Sequence, residues 1–146
     1  MTIDIKHAFG IGPIQVDAMT IRTTVFVNEQ GVAINEELDG HDAEAIHIIA
    51  YFDGKLAATA RLLEEDIGVW HVQRVATVYS MRGKGLGSAL FDYIEKLAPG
   101  YQIHTLILGA QLQARGFYDG LDFESFGDQF LDAGIWHVNM KKKLTK

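Results

Sequence analysis

The stretch MRGKGLGSALF, Met81 to Phe91, sets glycines at positions 83, 85 and 87 and then passes into an apolar pattern of helical period. Arg82 precedes the first glycine and Lys84 lies between the first two. Downstream, Leu86, Leu90, Ile94 and Leu97 step by four, four and three, which is one face of an amphipathic helix closed by Pro99-Gly100. Upstream, the run from Val69 to Tyr79 reads as a strand. Downstream of the helix, Ile103 to Leu108 is a short apolar run of the kind found in buried parallel strands. The glycines therefore join a strand to a helix that leads to another strand.

Three ligand-binding loops have glycines at such a junction. A P-loop needs G-x-x-x-x-G-K-[ST], and here Lys84 precedes Gly85 with no Ser or Thr after it. A Rossmann fingerprint needs a third glycine where this chain has Ser88 or Leu90, and it should follow the first strand rather than a later one. The remaining pattern is R/Q-x-x-G-x-G/A, from Arg82 to Gly87. Its small residues let backbone approach a ligand, and free amides at a helix N-terminus converge on one anion. Arg82 and Lys84 add positive charge to a chain of net charge -6. The alternative is a tight strand-to-helix turn with no ligand.

The rest of the chain supplies a setting for that loop. Its 146 residues, 48% of them hydrophobic, suit a single domain over 1–146. Thr2 to His7 alternates as a strand does, Pro13 opens a helix over Ile14 to Val27, and Gly31 to Asp42 is polar and irregular. Ala43 to Phe52 and Lys55 to Leu63 flank Asp53-Gly54, a hairpin signal. Gln111 to Tyr118 reads as a helix, with Phe123 to Phe126 and Trp136 to Met140 as final strands. The order βα, three antiparallel strands, then αβαββ describes an α/β (α+β) domain with a mixed sheet.

Several function classes drop out. The chain has no cysteine, so disulfides, thiolate zinc sites and cysteine nucleophiles are excluded. Its six histidines show no H-E-x-x-H spacing, and no metal is expected. Net negative charge argues against nucleic acid, and the absence of a signal segment or a long apolar run leads us to expect a cytoplasmic protein with no membrane partner. Between Glu29 and Glu44 stand six acids with no Lys or Arg. They read either as a solvated loop or as a negative mouth that attracts a cationic substrate. Arg61 and Arg74, in expected strands, pair with those acids or bind an acidic group.

Further segments make one resemblance specific. QRVATV (73–78) precedes the glycines, QLQARGFY (111–118) follows them, and LDF stands at 121–123. With FVNEQ (26–30), ATARL (58–62) and GIWHVNM (134–140), the chain resembles the GNAT superfamily of N-acetyltransferases, in particular its small single-domain bacterial members. The departures are Gln111 for Asn, Thr77 for Val, Tyr79 for Pro and Asp122 for Gly.

The resemblance implies a mixed, mostly antiparallel central sheet of six to seven strands flanked by about four helices. It also implies acetyl transfer from acetyl-CoA to a primary amine by direct attack, without a covalent enzyme intermediate. In that reading Arg82, Gly83, Lys84, Gly85, Leu86, Gly87 and Ser88 hold the pyrophosphate. The Val75 amide faces the thioester carbonyl, Ala76 and Thr77 line the pantetheine arm, and Gln111 touches it. Tyr118 protonates the leaving thiolate, a suitable task for a phenol of pKa ~10. Glu29, Glu37, Asp39 and His137 are candidate bases. The acceptor is a small-molecule or peptide amine, cationic if the acidic stretch faces it. Homodimers are common in the family. The alternatives are a non-catalytic acyl-CoA-binding domain on the same fold and an unrelated nucleotide-binding domain.

Overall fold

The computed structural model describes residues 2–144. The apolar runs form strands β1 (Ile3–Phe9), β2 (Ile46–Phe52), β3 (Lys55–Asp66), β4 (Val69–Thr77), β5 (Thr105–Gln111), β6 (Glu124–Asp132) and β7 (Ile135–Lys143). Helices α1 (Pro13–Arg22), α2 (Ile34–Glu37), α3 (Leu86–Leu97) and α4 (Arg115–Gly120) lie between them. The strands join in one sheet ordered β1-β2-β3-β4-β5-β7-β6. Only β4 and β5 run parallel. They are the two strands linked through α3, and a parallel pair requires such a crossover.

Both faces of the sheet centre are covered, which explains why β2 reads as nearly continuous hydrophobicity. Ile48 and Ala50 face a core with Leu86, Leu90, Phe91 and Ile94 of α3. Ile49, between them, faces Ala18, Ile21 and Val25 on the other side. At Asp53-Gly54 both residues take positive φ, 50° and 81°, so the β2–β3 hairpin has the turn its sequence announces.

Element ends depart from the sequence expectations for local reasons. The first helix is α-helical only to Arg22 and continues as a π-helix over Thr23–Glu29. Thr20 and Thr24 donate their hydroxyls to the carbonyls of Val16 and Thr20, a back-bonding that bends helices. The polar segment after Gly31 includes the short α2. The expected helix over Gln111 to Tyr118 begins as the end of β5, passes through a 3-10 turn at Leu112–Ala114 and becomes α4 only at Arg115. β6 is longer than expected because its register slips between Phe126 and Phe130, around Gly127 at φ 74°. That slip hides the alternation that would have revealed the strand.

Leu90 is fully buried at the contact between α3 and the sheet. Leu90→Ala is expected to lower the unfolding free energy by about 2–5 kcal/mol, measured by urea denaturation at neutral pH.

Candidate active site

The β4–β5 ladder pairs Val69 with Thr105, Trp70 with Leu106 and His71 with Ile107, and goes no further. Beyond His71 the strands part. β4 stays with β3 but bulges: Gln73 pairs with Arg61 and Ala76 with Thr59, so three steps on β4 match two on β3. Arg74 absorbs the extra length at φ 55°. This left-handed geometry costs a non-glycine residue roughly 1–2 kcal/mol. Neither Arg74 nor Val75 has a register partner on β3, and a bulge leaves its extra residue unpaired in the ladder.

A cleft of about 1110 Å³ opens between the parted strands. Val75, Ala76 and Thr77 form one wall, and Gln111, at the end of β5, stands on the other. The cleft ends at the glycine loop, where Gly83, Gly85, Leu86, Gly87 and Ser88 reach it. Gly83 and Gly85 have φ of 77° and 79°, and a Cβ at either would meet nothing. Their glycines serve backbone conformation, not space. Gly87 differs: a Cβ there would lie 2.9 Å from the Phe117 ring, so its smallness lets α3 and α4 pack. Gly85 caps α3 without a side-chain bond, which leaves the first-turn amides free of a protein side-chain cap.

The two basic residues of the loop separate. Arg82 lines the cleft, donating to the Thr77 carbonyl at 3.1 Å and to both Glu29 oxygens at 2.7 and 2.8 Å. Lys84 turns outward, its ammonium 5.3 Å from the centre of the Phe52 ring. Of the two basic side chains expected at the loop, Arg82 therefore reaches the cleft and Lys84 does not.

Three candidate catalytic side chains line the same cleft, at different places. Tyr118 is 6% exposed, within a cluster of Phe91, Phe117 and Phe123. Burial pushes its phenol pKa well above the ordinary value. The hydroxyls of Tyr51 and Tyr93 bond Asp17 and His7, whereas no protein group among the described residues bonds that of Tyr118. His137 donates Nδ1–H to the Ile135 carbonyl at 2.7 Å and stacks on Phe130. That bond leaves Nε2 as the basic nitrogen of the neutral ring. Glu29 is held below the usual carboxylate range, chiefly by the hydrogen bond from Arg82. This makes it a weaker base than a free carboxylate. Gln111 accepts from Gln113 and donates to Gln30 at 3.0 Å.

The acidic stretch is not an open negative mouth. Arg22 pairs with Glu37 at 2.5 Å and Asp42 at 2.9 Å, Arg61 with Asp39 at 2.6 Å and Asp42 at 3.0 Å, and Arg74 with Glu37 at 3.2 Å and Asp39 at 3.3 Å. Glu29 is held by Arg82 and Glu44 by His41, leaving Glu36 at the cleft wall. The inference of a cationic acceptor from this stretch loses its basis, and Asp39 and Glu37 are engaged elsewhere than with a substrate amine. Burial raises Asp39, but bonds from Arg61 and the His41 amide outweigh it and hold the carboxyl far below its ordinary value. Asp42 is lowered in the same way, burial being overcome by Gln15, Arg22 and Arg61. Arg22 escaped the sequence reading. Its position, four after Ala18 and three before Val25, sets it on the buried face of α1, and that was the available signal. Among the described residues, no group of three or more His, Asp or Glu is arranged to hold a metal ion, and no helix is long and apolar enough to cross a membrane.

Residues 16–144 match the family model described as acetyltransferase (GNAT) domain. The uncharacterized N-acetyltransferase YjcF of Bacillus subtilis (strain 168) is 35% identical over 127 residues, covering 86% of this chain and 90% of that protein. The solved structure of an acyl-CoA N-acyltransferase from Pseudomonas aeruginosa superposes with a TM-score of 0.82 at 25% identity, over 97% of this chain and 99% of that one. An aminoglycoside 6'-N-acetyltransferase complexed with coenzyme A shares the fold, with a TM-score of 0.74 at 16% identity over 98% of each chain. The chain belongs to the GNAT family of acetyltransferases.

The ion pairs imply a pH dependence. Asp39 and Asp42 have folded pKa values below their unfolded ones, so their contribution is complete above the carboxylate range and lost as pH falls through it. His47, bonded through Nε2 to the Asp42 carbonyl, is lowered chiefly by burial and adds a loss that begins near its unfolded value of about 6.5. Urea midpoints are expected to fall from pH 7 to pH 5 through His47 and further from pH 5 to pH 2.5 through the carboxylates, with Asp39→Asn giving a lower midpoint at pH 7 and a shallower slope below pH 5.

Proposed function

We propose that this protein transfers an acetyl group from acetyl-CoA to a primary amine of a small molecule or peptide, by direct attack of the amine on the thioester. The observation that carries this reading is the sharing of one cleft by the β4 bulge, the uncapped N-terminus of α3 and the Tyr118 side chain. Coenzyme A is the ligand of the aminoglycoside acetyltransferase that has this fold.

The chain's own groups divide the work. The pyrophosphate lies against the amides from Gly83 to Ser88, with Arg82 exchanging Glu29 for phosphate oxygens. Pantetheine runs along Ala76 and Thr77, with Gln111 opposite. The Val75 amide donates to the thioester oxygen, and the bond strengthens as that oxygen gains charge in the tetrahedral intermediate. The incoming ammonium, of pKa ~10, must lose a proton before it attacks. Nε2 of His137 takes it, directly or through water. The intermediate collapses by breaking the C–S bond; Tyr118 delivers a proton to the departing sulfur, and the second proton, shed by the attacking nitrogen as the amide forms, restores the phenol. A phenol is protonated throughout the neutral range, as this role requires, and burial makes that of Tyr118 a weaker acid than a free phenol.

Micromolar binding of acetyl-CoA, with none of NAD, is the expected result of calorimetry; the reverse result would assign the loop to a dinucleotide. Gly85→Glu is expected to abolish acetyl-CoA binding, because a carboxylate at φ 79° meets both strain and the phosphates. Tyr118→Phe is expected to lower kcat by about 100-fold while the acetyl-CoA Kd changes by less than about threefold. An unchanged kcat would remove Tyr118 from the acid role.

A further inference from the structure

The six ion pairs described above close on themselves. Taken in turn, Arg22, Glu37, Arg74, Asp39, Arg61 and Asp42 form a ring of alternating charge that returns to Arg22. Three arginines balance three carboxylates, so the ring offers no net charge to an acceptor. It joins α1, the loop after α2, β3 and the bulge of β4. Arg22 and Arg61 are each 1% exposed and Glu37 is 2% exposed, which anchors the ring in the interior. Asp39, Arg61, Asp42 and Arg22 stand outside the cleft, whereas Arg74 and Glu37 reach its wall.

Arg74 is the ring member with left-handed backbone, at the bulge that precedes Val75. A non-glycine residue persists in that conformation only where its surroundings hold it there. The surroundings here are specific. Its guanidinium donates to the Glu37 carboxylate at 3.2 Å, to Asp39 Oδ2 at 3.3 Å and to the carbonyls of Glu36 and Glu37 at 3.3 and 3.4 Å. The preceding residue is tied to the same ring, since Gln73 Oε1 accepts from Arg61 at 2.5 and 3.1 Å. Both residues on the N-terminal side of Val75 are thus held by side chains from another part of the chain.

Building on the acetyl-CoA reading above, we propose that this ring is the positioning device for the thioester carbonyl: Glu37 and Asp39 hold Arg74, and Arg74 holds the bulge that presents the Val75 amide. Arg74, Glu37 and Asp39 are then positioning residues. Their effect is read at the carbonyl, not in the grip on the phosphates.

The test is the infrared stretch of the thioester carbonyl in bound [carbonyl-13C]acetyl-CoA, alongside calorimetric Kd for the same ligand. The variants are Asp39→Asn, which lies outside the cleft, and Arg74→Gly, which accepts a positive φ without strain and removes the whole side chain, guanidinium included. Circular dichroism and urea denaturation confirm that each variant is folded. The expected result is a carbonyl band shifted to lower frequency on the wild-type protein and returned at least halfway to its free position in both variants. Kd should change by less than about threefold, because the loop amides carry the phosphate affinity. Retention of the full shift in Arg74→Gly would overturn the proposal, since backbone permissiveness alone would then suffice. An unshifted band on wild-type protein that binds acetyl-CoA would overturn it too, while leaving the cofactor reading intact. Failure of the wild type to bind acetyl-CoA would sink both.

Discussion

The parting of β4 from β5 is the constraint on which the rest of the molecule depends. Two parallel strands that stayed paired would bury their ladder and leave no room for a ligand within the sheet. Here the ladder stops at His71 and Ile107, and a bulge turns β4 away. The opening is lined by residues of both arms, Val75, Ala76 and Thr77 of β4 and Leu108, Gly109, Ala110 and Gln111 of β5. The glycine loop ends the same cleft because β4 runs directly into it. The bulge and the glycine loop, to which the proposed function assigns the carbonyl and the pyrophosphate, thus lie along one continuous stretch of chain, separated by a distance the strand itself sets.

An opened sheet has to be supported from outside, and the support is electrostatic. Burying Arg22, Arg61 and Glu37 in this ring carries a desolvation cost that good geometry only roughly repays, so such a ring is poor evidence for stability. It is better evidence for specificity of shape. Each member has two partners of opposite sign, and moving any one takes one partner from each of its two neighbours. The ring therefore holds α1, β3 and β4 in a single arrangement. An apolar contact would hold the same elements with less directional precision, because dispersion and burial are not directional.

The fold was largely legible, and so was half of the site. The strand–glycine–helix–strand unit showed itself because each part has a short-range signature: the period of α3, the Asp53-Gly54 turn, the glycines at positive φ. Gly83 and Gly85 were readable for the reason they exist, since backbone conformation is a local property. The other half was obscured by long-range pairing. Lys84 and Arg82 look equivalent in the chain, yet one stacks on Phe52 and the other turns to Glu29. The acids from Glu29 to Glu44 look like one charged surface, yet Glu37 is 2% exposed and pairs with two arginines while Glu36, beside it, forms no ion pair among the described residues.

The amino-acid sequence by itself determined the order of elements, the backbone conformation of the glycine loop and the absence of cysteine chemistry. These follow from residue type, spacing and periodicity, which act over a few residues. Tertiary structure alone decided which charges are spent inside the molecule and which face the cleft. It decided that Arg22 is a structural cation, that Arg74 holds a bulge, and that Glu29 meets Arg82 from 53 positions away. The physical reason is that an ion pair depends on a separation of a few ångströms, which the chain establishes only when elements remote in sequence pack together.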